Sequence, residues 1–327
     1  MGTKRTSYNI DELRGLACFL LVAYHVVGVP GSGMQVGDDS LYRYATSSFE
    51  LVRMPLFTFI SGLVYAYRPA AADRLRAFFG KKVRRLLIPF VTISTLFFMA
   101  QSLAPGANGS DAPEAMWRIY LFSYAHFWYL QALFLIFLVI GLLDAFRIVS
   151  RPVPFAVLFA LALAGGMTLA VPGNPFSVNE AMILLPHFLL GVAVTRFPAL
   201  FRRPEIAGLA VAGLVLAVAI HQTALFRHES IGWHSPVAFL CGMCGALVLL
   251  RVMPSSALFR RIGGSSYSIY LHHAFFTAGA RIVLSRLGAD DLTLFLVSLA
   301  LGIIGPLVLE ALASLRPLTR VALVGKT

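Results

Sequence analysis

IDELRGLACFLLVAYHVVGV, residues 10–29, opens with charged side chains and then continues as an apolar stretch interrupted near its end by His25. It mimics a secretory signal, but no small-x-small cleavage site follows, so we predict a retained span. Apolar runs of this length recur along the chain, at roughly 13–29, 50–67, 86–104, 122–146, 153–171, 181–197, 205–221, 235–251, 266–285 and 292–315. Because lipid offers no hydrogen-bond partner, the backbone N–H and C=O groups of such runs must bond to each other within helices. We therefore predict an all-α, polytopic membrane protein with about ten transmembrane helices.

The composition fits a chain surrounded mostly by lipid. Of its 327 residues, 58% are hydrophobic and 13% are charged, and the mean hydropathy is +0.78. Too few charges remain for the polar shell of a soluble protein. The net charge of +12 would also suit a nucleic-acid binder. The basic residues nevertheless lie at the ends of the apolar runs and form no basic, aromatic-interleaved face, so we predict no nucleic-acid partner.

The distribution of basic residues predicts the orientation. With a cytoplasmic N-terminus, 20 of the 27 Lys and Arg residues fall in inner segments, and the outer loops hold only Arg43, Arg118, Arg227 and Arg286. Cytoplasmic loops carry an excess of Lys and Arg, so we predict that both termini are cytoplasmic. The outer loops at 30–48 and 103–121 are rich in Gly, Ser, Pro and acidic residues, as solvated turns are.

Arg14 and His25 lie eleven residues apart in the first span. Eleven steps of about 100° make about three full turns, so both side chains project from one helix face, roughly 16 Å apart along the axis. Ionisable groups inside a span usually face a protein or water-filled interior. A cation at the cytoplasmic mouth and a base near the membrane middle would suit a tunnel for an anionic donor. The alternative is that Arg14 snorkels to the surface and His25 is a satisfied core histidine.

The second span carries a polar stripe formed by Glu50, Arg53 and Ser61, with Phe57 between them. Residues three or four apart on a helix are neighbours, so Glu50 and Arg53 can pair. The stripe predicts either a cavity-lining face or a structural ion pair at the outer rim.

Two further spans contribute candidate cavity-lining residues. In the ninth, Ser266, Tyr270 and His273 share one helix face, which favours a cavity or a hydrogen bond to another helix over contact with acyl chains. His126 and Trp128 open the fourth span at the outer side. Interfacial anchoring by itself would account for Trp128.

The densest basic segment precedes the third span and contains Arg74, Arg76, Lys81, Lys82, Arg84 and Arg85. One interpretation is attraction to anionic headgroups, worth about 1 kcal/mol per cation near the surface. The other is capture of a polyphosphorylated cytosolic ligand. The sequence carries no Gly-rich phosphate loop, zinc-ligand spacing or serine-hydrolase elbow, so we predict no bound metal and no permanently bound cofactor.

Five stretches, in order along nearly the whole chain, resemble the acyltransferase-3 family of membrane-bound O-acyltransferases, which modify bacterial surface and secreted glycans. They are IDELRGLACFLLVAYHV at 10–26, MPLFTFISGLVYA at 54–66, KKVRRLLIPF at 81–90, AHFWYLQALF at 125–134 and IGGSSYSIYLHH at 262–273. The first resembles the family's Arg-x10-His motif. The third resembles its basic pair, for which Lys81-x-x-Arg84 and Lys82-x-x-Arg85 are both possible registers.

The resemblance implies one integral membrane acyltransferase domain over residues 1–327, located in the bacterial inner membrane and without the SGNH-type esterase domain that some members add. It implies transfer of an acyl group, other than an aminoacyl group, from cytosolic acyl-coenzyme A to a hydroxyl of an extracytoplasmic polysaccharide or lipid-linked saccharide. A role in exopolysaccharide biosynthesis follows. Acetyl is the expected group and succinyl the alternative. Arg14 and His25 are expected to be essential.

The expected mechanism joins these features. Coenzyme A phosphates bind the cations around 74–85, the thioester passes Arg14, and neutral His25 accepts the proton of the attacking sugar hydroxyl. Ser266 and Tyr270 are candidates for stabilising the oxyanion, and a covalent acyl-histidine is the alternative to direct transfer. Functions of other classes are a secondary transporter or flippase of a polar solute, with Arg14 and His25 as a charge relay, or a membrane scaffold.

Overall fold

The computed structural model describes residues 8–103 and 116–325, and every regular element within these ranges is a helix. Ten of these helices have 16 or more residues. They are α1 (Ile10–Val27), α2 (Glu50–Tyr67), α3 (Ile88–Leu103), α4 (Trp128–Ala145), α5 (Pro152–Thr168), α6 (Val178–Arg196), α7 (Pro204–Phe226), α8 (Pro236–Val252), α9 (Ser266–Arg286) and α10 (Asp291–Ala313). Lys4, Arg5, Lys326 and most of the predicted outer loop 103–121 lie outside the described residues.

The ten long helices coincide with the ten predicted spans, which confirms the all-α prediction. The helical stretches of α2, α3, α4, α6, α7 and α10 are long and apolar enough to cross a membrane, and α5 and α8 are apolar but shorter. α1 and α9 are more polar, because α1 begins with Asp11, Glu12 and Arg14 and α9 carries His272 and His273. Ten crossings and two cytoplasmic termini stay predictions. The end of the bundle at which α1 begins is called here the predicted cytoplasmic end, and the opposite end is called the predicted outer end.

Two helix starts differ from the predicted ones. α3 continues a helical stretch that begins with Leu75–Lys82 and passes through a π-helical turn, Val83–Leu87, so the helix starts before residue 86. α4 begins at Trp128 rather than near 122. The preceding turn holds Ala125 at a φ of 45°, a left-handed conformation that a continuous right-handed helix does not contain.

The predicted loop 30–48 is more ordered than a solvated turn. It contains a short helix, Leu41–Ser47, which carries Arg43. The guanidinium of Arg43 donates to the carbonyl oxygen of Gly28 at 3.0 Å and forms an ion pair with Asp38 at 3.2 Å. These contacts hold the loop against the end of α1.

α2 and α6 cross with their backbones in direct contact. A Cβ atom at Gly62 would lie 2.0 Å from the carbonyl oxygen of Phe188, and one at Gly191 would lie 2.0 Å from that of Phe59. Small residues let membrane helices approach in this way. The contact fixes the rotation of α2, which carries Arg53 and Ser61.

α1 is anchored at the predicted cytoplasmic end by a buried carboxylate. Glu12 is 3% exposed, and its Oε1 accepts hydrogen bonds from Nε and Nη2 of Arg260 at 2.9 and 2.8 Å. Arg260 belongs to a short helix, Ala257–Gly264, directly before α9. The ion pair therefore fixes α1 relative to the start of α9.

A second buried ion pair joins α2, α4 and α6 at the same end. Nη1 and Nη2 of Arg196 donate to the Asp144 carboxylate at 2.8 and 2.5 Å. The Tyr65 hydroxyl donates to the same carboxylate at 2.6 Å. The side chains of Arg196 and Asp144 are 13% and 5% exposed. This forked geometry makes Asp144 the polar link between three helices.

Candidate functional site

Three imidazoles from distant parts of the chain meet inside the bundle. The ring of His25, near the end of α1, lies 5.8 Å from that of His126 and 4.8 Å from that of His273, measured between centroids. The rings of His126 and His273 are 4.7 Å apart. His126 lies in the turn before α4, and His273 lies in α9. Both are buried, with exposed fractions of 5% and 0%.

Hydrogen bonds determine the tautomer of His273. Its Nδ1 lies 2.9 Å from the carbonyl oxygens of Ile269 and Tyr270. Because a carbonyl oxygen only accepts, Nδ1 carries the hydrogen, which leaves Nε2 as the acceptor of the neutral ring. The Nε2 atoms of His273 and His126 are buried and have no hydrogen-bond partner. In a neutral ring the deprotonated nitrogen can accept a proton.

Beside this cluster lies a cavity of about 570 Å³, called the outer cavity. His25, His126, Arg53, Tyr24 and Tyr270 line its deep part. Its remaining polar and aromatic lining consists of Trp128, Asn174, Asn179, Glu180, Trp233 and His234. Amide, carboxylate and indole groups around one opening form a mixed polar and aromatic mouth.

The loops around the outer cavity contain backbone strain. Seven non-glycine residues in the described part of the chain have a positive φ, and four of them are in these loops: Ala125, Asn174, Phe176 and Ser177. Hydrogen bonds hold the strained segment in place. The Asn174 side chain donates to the Glu180 carboxylate at 3.0 and 2.8 Å, and the Ser177 hydroxyl donates to Gln131 at 2.6 Å. Strain retained in this way is typical of ligand-binding segments.

A second cavity, of about 540 Å³ and called the inner cavity, lies toward the predicted cytoplasmic end. Among the described residues that line it, none is acidic and four are basic: Arg14, Arg68, Lys82 and Arg85. The ammonium of Lys82 lies 3.4 Å from the centroid of the Phe137 ring, a cation–π contact that aims it along the cavity wall. Arg14 also pairs with the half-exposed Asp11 at 3.0 Å.

Tyr270 lines both cavities and lies between them. Its hydroxyl donates to the carbonyl oxygen of His126, and its ring lies 5.5 Å from that of Tyr129, which lines the inner cavity. The two cavities therefore approach each other from opposite ends of the bundle and are divided by a hydrogen-bonded tyrosine.

The structure brings most of the predicted site residues to these cavities. The outer cavity is lined by His25, Arg53, His126 and Trp128. The inner cavity is lined by Arg14, Ser61, Lys82, Arg85 and Ser266. Tyr270 lines both. His273 contacts the His25 ring from behind the cavity wall. Besides His273, five predicted residues line neither cavity: Glu50, Arg74, Arg76, Lys81 and Arg84. Of the two possible registers of the basic pair, the cavity contains Lys82-x-x-Arg85.

Of the two interpretations of the polar stripe, the ion pair between Glu50 and Arg53 does not form. The Arg53 guanidinium lies over the Tyr24 ring instead, with Cζ 3.2 Å from the centroid. The aromatic face competes successfully because Arg53 is 6% exposed and lies in the cavity wall, whereas Glu50 remains half-buried nearer the helix end. The sequence pattern predicted the stripe but not the direction of each side chain.

Sequence reasoning missed Asn174, the first-turn residues Asn179 and Glu180 of α6, and Trp233 and His234. They follow no helical spacing, and the adjacent tryptophan and histidine were the only local signal. Among the described residues, no group of three or more His, Cys, Asp or Glu side chains is arranged to hold a metal ion.

Residues 7–311 match a family model, acyltransferase 3, described as an acyltransferase domain. No curated protein and no solved structure matches the chain.

Proposed function

The chain belongs to the acyltransferase-3 family and is thus a membrane acyltransferase, and from that premise we propose that it moves an acyl group from cytosolic acyl-coenzyme A to a hydroxyl of an extracytoplasmic glycan. Acetyl is the group we expect, with succinyl as the alternative. The enzyme is proposed to work in the bacterial inner membrane, in polysaccharide modification. One observation carries the proposal: a basic cavity and a histidine-containing cavity meet at Tyr270 from opposite ends of the bundle.

The inner cavity is the proposed donor site. Coenzyme A is a polyanion, and the described lining of this cavity has four basic side chains and no acidic one. Arginine offers forked hydrogen bonds to phosphate, whereas lysine offers a point charge. In this proposal Lys82 and Arg85 bind phosphates, and Arg14 lies beside the path of the pantetheine arm. The thioester then reaches the level of Tyr270.

The outer cavity is the proposed acceptor site. A sugar ring presents hydroxyls at its edge and C–H groups on its face. The amide and carboxylate groups of Asn174 and Glu180 suit the hydroxyls, and the rings of Trp128 and Trp233 suit the apolar face. The strained loop would hold these groups in place before the acceptor arrives, so less ordering is needed on binding.

Acyl transfer at His25 is proposed to be direct. The imidazole accepts the proton of the acceptor hydroxyl while the oxygen forms a bond to the thioester carbon. The carbonyl π electrons move to oxygen, and the tetrahedral intermediate collapses by breaking the carbon–sulfur bond. The imidazolium then returns the proton to the leaving thiolate. Imidazole suits this exchange because its neutral form accepts a proton and its protonated form donates one.

The proposal is tested with the purified chain in lipid nanodiscs. Acetyl-CoA or succinyl-CoA is supplied with glycan from the source cells that mild alkali has stripped of esters. Free thiol should appear together with an added mass on the glycan of about 42 Da per acetyl or about 100 Da per succinyl group. A transporter or flippase, the competing function, would leave both thioesters intact. A chain that consumes neither thioester in the presence of the stripped glycan is not the proposed enzyme.

Lys82→Ala should raise the KM for acyl-CoA about ten- to a hundredfold, the range expected when a charge-assisted hydrogen bond is lost, and should leave kcat nearly unchanged. Lys81→Ala is the matched control, because it removes the same charge one residue away from a side chain outside the cavity. Its KM should stay within about twofold of wild type. Equal effects of the two variants would favour general attraction of the donor to a basic surface and contradict a specific site.

A further inference from the structure

Arg53 is a buried cation that Glu50, one turn away on α2, stabilises only at a distance. It is 6% exposed, it forms no ion pair with a described carboxylate, and its Nη1 is buried without a hydrogen-bond partner. One face of its guanidinium is occupied by the Tyr24 ring. A buried charge that no contact ion pair neutralises is costly, so a guanidinium kept in this state is explained best by a negative charge that arrives during function.

The position of Arg53 indicates where that charge arises. Arg53 and His25 line the same cavity, and the Tyr24 ring contacts both: its centroid is 5.2 Å from that of His25 and 3.2 Å from Cζ of Arg53. The guanidinium therefore lies beside the group to which the reaction is assigned. α2 holds it there, because the backbone contact between α2 and α6 fixes the rotation of the helix.

A permanently anionic acceptor is a weaker explanation for this cation. Among the residues that the structure describes, Glu180 is the only permanently charged side chain besides Arg53 that lines the outer cavity. Its carboxylate accepts hydrogen bonds from Asn174 and Ser123 on the loops of the mouth. An anionic acceptor would have to pass this carboxylate, whereas a neutral sugar would not. A transient charge created inside the cavity meets no such barrier.

We propose that Arg53 Nη1 donates a hydrogen bond to the thioester carbonyl oxygen as that atom becomes an oxyanion, so that Arg53 is a catalytic residue of the acyl transfer. The assignment rests on the proposed function. In the step, the acceptor oxygen bonds to the carbonyl carbon, its proton passes to His25, and the π electron pair moves to the oxygen facing Arg53. Collapse restores the carbonyl and releases coenzyme A as a thiolate, which takes the proton from His25. Donors placed in advance at a developing oxyanion favour the transition state over the ground state.

This role replaces the candidates from the sequence. The Ser266 side chain lies in the inner cavity, on the donor side of Tyr270. The Tyr270 hydroxyl already donates to the carbonyl oxygen of His126, so its hydrogen is not available to an oxyanion without breaking that bond. Nη1 of Arg53 has no hydrogen-bond acceptor among the described residues. The guanidinium also carries a positive charge, opposite to that of the oxyanion.

The test measures kcat and KM of Arg53→Met in nanodiscs, with acetyl-CoA and succinyl-CoA as donors and alkali-stripped glycan as acceptor. We expect kcat to fall about 10²- to 10³-fold, as when an oxyanion-hole donor is removed, while the KM values for donor and acceptor stay close to wild type. Arg53→Lys, which keeps the charge but not the fork, should retain intermediate activity. Arg281→Met is the matched control, because Arg281 is a half-buried arginine in α9 that lines neither cavity.

Folding of each variant is checked by the resistance of the buried Cys18 and Cys241 to a maleimide. A folded Arg53→Met protein with wild-type kcat would overturn the assignment. So would an increase in KM at unchanged kcat, or a loss confined to succinyl-CoA, because either would indicate binding of a substrate anion. A wild-type chain that consumes no thioester would overturn the proposed function itself, which is a separate and recognisable outcome.

Discussion

His25→Ala is expected to abolish measurable acyl transfer. Loss of a general base costs about 10²- to 10⁴-fold in rate, and in this site the base also returns the proton to the leaving group. The imidazole lines the outer cavity beside two histidine rings that are fixed by their own segments, so neither neighbour is placed to substitute for it. The measurement is thiol release coupled to added mass on the stripped glycan, with acetyl-CoA and succinyl-CoA as donors.

The control for His25→Ala must separate chemistry from folding. His187→Gln changes another buried imidazole, 1% exposed and in α6, that lines neither cavity, and it should keep near wild-type activity. Maleimide resistance of Cys18, which lies in the same helix as His25, should be unchanged in the His25→Ala protein. Wild-type acylation by a folded His25→Ala protein would remove His25 from the mechanism.

Direct transfer makes a further prediction about His25. When donor is supplied without acceptor and the reaction is quenched rapidly, the peptide that contains His25 should carry no added acyl mass. A covalent route would instead accumulate an acyl-imidazole under these conditions, because no hydroxyl is present to remove the group. Mass spectrometry of the quenched protein decides between the two routes.

Asp144→Ala should lower the free energy of unfolding by about 3–5 kcal/mol, the cost of leaving one member of a buried ion pair without its partner. The change leaves the Arg196 guanidinium between α4 and α6 without its ion-pair partner, and it also removes the acceptor of the Tyr65 hydroxyl. Unfolding in detergent can be followed by maleimide labelling of Cys241, which is 1% exposed in the folded chain.

Two further variants test this explanation. Asp73→Ala removes one member of the Asp73–Arg74 pair, in which both side chains are more than 70% exposed, and should change stability by less than about 1 kcal/mol. The double variant Asp144→Leu with Arg196→Met should recover most of the loss, because replacing a whole buried pair by apolar side chains is often nearly neutral. An Asp144→Ala protein as stable as Asp73→Ala would contradict a structural role of the pair.

Local physics explains how much of the fold was predictable. A bilayer-spanning helix is encoded by its own apolar length, so all ten long helices could be located without knowledge of their neighbours. The prediction was least accurate where the backbone leaves regular geometry. The turn at Ala125 makes α4 start later than predicted, and the loop at 30–48 contains a helix that was not predicted. These features depend on contacts with other segments rather than on the composition of their own.

Within the site, the sequence determined which residues share a face of the same helix. The regular rise and rotation of α1 are enough to place Arg14 and His25 on one face, and the apolar length of each run is enough to make it a helix. The partners of these residues depended on packing between helices. Only the tertiary structure shows that His126 and His273 lie beside His25. It also shows that, of the six basic residues at 74–85, Lys82 and Arg85 line the inner cavity, and that Arg53 contacts Tyr24 rather than Glu50. The reason is that helical spacing follows from backbone hydrogen bonds within one segment, whereas the direction a polar side chain takes depends on which neighbours surround it.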